Sequence, residues 1–156
     1  MNWTPGVRSW KSLHHIILAI LPLLVVLNFY GVHTNRFYFA KLDNYIFPLL
    51  SSIHFVYIYA IRSKIRVSGM ADIRTRNLEY ALYALMVVYA FKIYESITLL
   101  NAIDAIQRQL LPKTFYPVSL CIVALYGLLF LLTLISFQIR KRYLGKYEIE
   151  NSPPVL

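Results

Sequence analysis

The sequence predicts an all-α protein: a four-helix transmembrane bundle, both termini cytoplasmic, with minimal extramembrane structure. Three observations predict it. First, 58% of the 156 residues are hydrophobic, and the mean hydropathy is +0.54. No soluble core of this size hides that much apolar surface, whereas lipid does. Second, the apolar residues fall into four runs separated by short polar segments. Third, Lys and Arg crowd at alternate ends of those runs. The charged fraction of 15% is below the roughly 25% usual for soluble proteins.

In chain order, a polar lead carrying Arg8 and Lys11 precedes the first span, about 13–30. At about 1.5 Å per residue it crosses most of a roughly 30 Å hydrocarbon core. A basic start before an apolar run also describes a signal peptide, but no small-x-small cleavage site follows, so a retained anchor is expected. A short polar connection leads to the second span, about 43–61, interrupted by Pro48 and Ser51-Ser52, with His54 near its middle. The loop 62–77 holds Arg62, Lys64, Arg66, Arg74 and Arg76 against Asp72 alone, with a turn signal at Ser68-Gly69. The third span covers about 78–100. Residues 101–114 are amphipathic, with Ile103, Ile106 and Leu110 on one helical face, and are expected to prolong the third helix as far as Pro112. The fourth span, about 115–139, is closed by Arg140, Lys141 and Arg142. Residues 1–145 thus form a single membrane domain, and 146–156, with Pro153-Pro154, a flexible cytoplasmic tail.

Of sixteen Lys and Arg residues, eleven fall on the side of the two termini and the central loop, four on the opposite side, and Lys92 within a span. Cytoplasmic segments collect positive charge, which places both termini inside, with the plasma (inner) membrane as the expected location. Tyrosines cluster near span ends, where an amphipathic ring suits the interface. Tyr83, Tyr89, Tyr94 and Tyr126 lie deeper and need partners for their hydroxyls. The second and fourth spans echo one another, each with a proline in its first turns, Pro48 and Pro117. Proline suits that position on its own account. No GxxxG motif is present, but Ala81 with Ala84, and Ala124 with Gly127, offer small patches for close helix approach.

Lys92 and Glu95 are the only charges deep in an apolar run, and three-residue spacing puts them on one helical face. A charge at mid-bilayer costs about 2.5–3.5 kcal/mol on insertion scales, part of which pairing recovers. Either the pair fixes packing between helices or subunits, or it lines a proton, ion or water path. Measured from the outer ends of their helices, Lys92 lies about 12 Å deep and Glu95 about 8 Å, against about 10 Å for Ser51 and 15 Å for His54. Ser51, His54, Lys92 and Glu95 are therefore expected to form one intramembrane polar cluster. The basic residues Arg62, Lys64, Arg66, Arg74, Arg76, Arg140, Lys141 and Arg142 read as lipid-facing loops, which set topology and touch anionic lipid.

Other chemistry is poorly served. One cysteine, Cys121, excludes an internal disulfide and a CxxC pair. Bis-histidine haem needs facing histidines at depth, whereas His14, His15 and His33 sit at span edges or outside. No HExxH, GxSxG, Walker lysine or EF-hand loop occurs. No cofactor, metal, nucleic acid or enzymatic activity is expected. Two functions remain: an oligomerising or accessory subunit of a membrane complex, acting through lateral helix contacts, or a homo-oligomeric channel, pore-forming effector or small transporter built on the polar cluster.

Overall fold

The computed structural model describes residues 5–67, 73–103 and 110–144. Four helices form from them: α1 (Pro5–Asn28), α2 (Ile46–Val67), α3 (Ile73–Asn101) and α4 (Phe115–Leu144). Between α1 and α2 lie two short antiparallel strands, β1 (Tyr30–Gly31) and β2 (Arg36–Phe37), and a 3-10 turn, Leu42–Tyr45. Three segments are long and apolar enough to cross a membrane: Leu42–Arg66, which is α2 with its lead-in turn, then α3 and α4. The apolar part of α1, Ser12–Asn28, is shorter and rises roughly 26 Å. With its polar first turns α1 reaches roughly 36 Å.

The helices outrun the apolar stretches that define them. The sequence places a loop over 62–77, yet α2 continues to Val67 and α3 already begins at Ile73. Hydropathy marks where lipid ends. Lys and Arg are good helix formers, and nothing in their chemistry stops a helix there. At the other end α3 stops at Asn101 and the chain leaves the helix at Ala102 and Ile103, so the expected amphipathic stretch does not prolong α3 directly. Residues 104–109 lie outside the described residues, as do Ser68-Gly69 and the tail 146–156. Pro48 and Pro117 each sit at the third position of their helix, where a missing N–H costs no intrahelical bond.

One core joins all four helices. On α1 it is built by Leu13, Ile17, Ile20, Leu21 and Leu24, and on α3 by Leu82, Leu85, Met86 and Tyr89. Both runs recur at three- and four-residue intervals, the stripe a helix buries. α2 adds Phe47, Tyr57, Ile58 and Ile61, and α4 adds Tyr126, Leu129, Leu132, Phe137 and Leu144. The most extensive pairing is α3 with α4. There α4 buries Thr133 and Ser136, whose hydroxyls donate to the carbonyls of Leu129 and Leu132 at 2.7 and 2.9 Å. Small hydroxyls satisfied within their own helix allow close approach without carrying an unmet donor into the interface. The small patches singled out by sequence do not serve this purpose. Ala84 and Ala124 are exposed, and a Cβ on Gly127 would meet nothing within 4 Å.

The hairpin after α1 turns through Asn35, at φ 55°, a left-handed conformation that Asn tolerates. A Cβ on Gly31 would stand 2.5 Å from Cε2 of Tyr38. Gly31→Ala is therefore expected to displace the Tyr38 ring and its hydrogen bond to Thr34 (2.9 Å). Amide exchange should accelerate over residues 30–37 while α3 and α4 keep their protection. Unchanged exchange there would refute the close approach.

Candidate functional site

Polar side chains gather at two levels. Toward the hairpin end, α3 carries Lys92 and Glu95. The Lys92 ammonium donates to Glu95 Oε2 at 2.8 Å, and the side chains are 30% and 54% exposed. They line a cleft of about 120 Å³ whose walls come from α1, α3, α4 and the start of the hairpin. Asn28 of α1, Tyr30 of β1, Ser96 of α3, and Ser119 and Tyr126 of α4 complete its polar lining. Ser119 is buried, and its hydroxyl has no partner among the described residues. Asn28 itself is held at the mouth by donating to the carbonyl of Asn44, which ties the end of α1 to the start of α2.

Ser51 and His54 project from α2 into the core and are fully buried. Ser51 donates back to the carbonyl of Pro48 at 2.8 Å. His54 Nδ1 lies 2.9 Å from the hydroxyl of Tyr89 on α3. Among the described residues no hydrogen bond joins Ser51 or His54 to Lys92 or Glu95. The two pairs are linked through aromatic rings instead. Tyr89 stands 6.4 Å from Tyr126, centroid to centroid, and Tyr126 reaches the cleft that Lys92 and Glu95 line. Phe47 packs against both rings, at 6.2 and 5.3 Å. The four residues proposed from sequence thus fall into two groups, with Tyr89 and Tyr126 between them.

Of the four tyrosines expected to lie deep, Tyr89 and Tyr126 are buried, whereas Tyr83 is 41% exposed. Tyr89 finds His54, and Tyr83 donates to Glu79 at 3.1 Å. Tyr94 instead faces outward, 67% exposed.

At the opposite end lies an ion pair that sequence reasoning missed. Arg140 of α4 donates to Glu79 of α3 at 2.5 Å, with side chains only 5% and 4% exposed. Arg140 therefore does not belong with the lipid-facing basic residues. It is buried because α4 continues to Leu144 and turns that position toward α3. A usable signal existed: Glu79 is the lone carboxylate in the first turns of an apolar helix and needs a partner. The remaining seven basic residues do not sit in loops either. Arg62, Lys64 and Arg66 ride on the last turns of α2, Arg74 and Arg76 on the first turn of α3, and Lys141 and Arg142 on the last of α4. Among the described residues each carboxylate has a basic partner: Asp43 with Lys41, Glu79 with Arg140, Glu95 with Lys92. No three His, Cys, Asp or Glu side chains among them come together as a metal-holding group.

Three apolar helices of spanning length mark the chain as a membrane protein. No known family, curated protein or solved structure shows significant similarity to it.

Proposed function

We propose that the chain is a four-helix transmembrane bundle with cytoplasmic termini, in the plasma (inner) membrane, and that it works by lateral association with other membrane helices, as an oligomerising or accessory subunit. The observation that carries this reading is the state of Lys92 and Glu95. They satisfy each other within one chain, yet remain partly exposed on α3. In hydrocarbon an exposed charge pair is costly, and a neighbouring helix or subunit removes that cost. Around them α3 presents Val87, Phe91 and Tyr94, each at least 60% exposed, on the side opposite its buried stripe. The charge asymmetry between helix ends supports the orientation. The interior between the helices is filled by Leu21, Leu24, Tyr57, Leu82, Tyr89 and Leu129, all fully buried, which favours association over transport through a single chain.

The test places single cysteines at Phe91 and Tyr94 in a Cys121→Ser background, in liposomes. Phe91→Cys is expected to cross-link into dimers or higher species under mild oxidant, and Lys92→Leu with Glu95→Leu to change the yield. Monomer alone, in liposomes and in native membranes, overturns the reading. A second reading, a homo-oligomeric channel, pore-forming effector or small transporter, is favoured by the same partly exposed charges lining a cleft. It predicts ion or solute flux in liposomes that Lys92→Leu alters. Absent flux in both wild type and variant would sink it.

A further inference from the structure

At the basic end, α1 and α2 enclose a groove of about 420 Å³ lined by His14, Leu18, Phe55, Ile58, Tyr59, Arg62, Ser63 and Arg66. Its composition is graded along α2. Arg62, Ser63 and Arg66 occupy the last turns of the helix, whereas Phe55, Ile58 and Tyr59 lie one to three turns nearer the middle of the chain's apolar stretch. Leu18 of α1 faces them from the other wall. Arg62 and Arg66 are four residues apart, hence on one helical face, and both are exposed. No carboxylate among the described residues pairs with either. His14 is buried beneath them, with Nε2 3.5 Å from Nη1 of Arg62.

We propose that this groove is a binding site for an anionic phospholipid. The phosphate sits between the Arg62 and Arg66 guanidiniums, with the hydroxyls of Ser63 and Tyr59 within the same lining, and an acyl chain lies along Leu18, Phe55 and Ile58. Three arguments commit the site to lipid. Two uncompensated guanidiniums one turn apart present forked donors that match phosphate oxygens. The floor is apolar just where a membrane lipid is apolar, so a soluble phosphate would leave most of the groove unfilled. Basic residues at the cytoplasmic ends of spans gain from the negative surface of that leaflet. The inference rests on the membrane reading of the chain but not on its lateral partners.

Native mass spectrometry of the full chain, released from nanodiscs of mixed phosphatidylglycerol and phosphatidylcholine, tests the site. Wild type is expected to retain phosphatidylglycerol preferentially. Arg62→Gln with Arg66→Gln should lower that retention roughly tenfold or more, since each loses a charge-assisted hydrogen bond to the phosphate worth about tenfold or more in affinity. Arg74→Gln with Arg142→Gln removes the same charge from the same end and should leave it within about twofold. Leu18→Trp fills the groove without changing charge and should also reduce retention. Equal losses from both charge-removing pairs would mean diffuse attraction and overturn the site. Displacement of the lipid by millimolar inorganic phosphate or glycerol phosphate would reassign the groove to a soluble anion and equally overturn it. A chain that fails to stay with the bilayer after alkaline extraction would refute the membrane reading, a result distinct from retention in the bilayer without lipid preference.

Discussion

Arg140→Met is expected to destabilise the protein by about 3–5 kcal/mol, the usual cost of stranding one member of a buried ion pair. Arg140 and Glu79 are 5% and 4% exposed as side chains, so neither water nor salt screens the carboxylate left behind. Tyr83, which donates to the same Glu79 oxygen, would remain, but one neutral hydroxyl replaces little of a charge-assisted contact. Glu79→Gln should cost a similar amount by removing the negative charge that faces the buried guanidinium. The double variant Glu79→Leu with Arg140→Met is expected to recover most of the loss, because a buried ion pair exchanged for apolar groups of similar volume is often neutral. Reversible unfolding in mixed micelles, followed by circular dichroism, gives the three values and their coupling. Additive losses in the double variant would show that the two residues do not act as a pair. Arg140→Lys should fall between, since a single ammonium lacks the planar fork.

The second large effect concerns Tyr89. Its ring is buried against Phe47 and Tyr126, and its hydroxyl contacts His54 Nδ1 at 2.9 Å. His54 Nε2 has no partner among the described residues. Tyr89→Phe would leave both ring nitrogens of a fully buried imidazole without a bond, at about 1–3 kcal/mol. Tyr89→Ala adds a cavity beneath two aromatic rings and should cost about 3–5 kcal/mol in all. The informative companion is His54→Leu in the Tyr89→Phe background. Replacing both polar partners by apolar groups should restore stability to within about 1 kcal/mol of wild type. If the double variant is as unstable as Tyr89→Phe, or more so, the contact is not the reason for the loss. The same four proteins probe function, because a His54 that serves only packing leaves oligomerisation unchanged in the restored double variant.

Much of the architecture was legible because lipid imposes it. Apolar runs of about twenty residues have one fate, and the number and order of helices followed from them. Helix ends were less legible. Arg62 to Arg66 and Arg74 to Arg76 look like a loop by polarity, yet they continue α2 and begin α3, since polarity reports the membrane boundary and not the hydrogen-bond ladder. The polar cluster was half legible. Depth arithmetic placed Ser51, His54, Lys92 and Glu95 at one level, which is a one-dimensional quantity. Which of them meet depends on helix rotation and on what intervenes. Tyr89 and Tyr126, noted only as deep tyrosines, turned out to occupy that space.

The sequence alone determined that this chain belongs in a membrane, that it folds into four helices, and that Lys92 and Glu95 share one helical face, because those follow from composition, rise per residue and spacing within one helix. Three of the four helices are of spanning length. Only the tertiary structure decided that Arg140 turns inward to Glu79 across 61 residues while its neighbours Lys141 and Arg142 face out, and that His54 meets Tyr89 and not Lys92. Those outcomes depend on the angle at which one helix packs against another, and a shift of one residue, about 100° of rotation, reverses them.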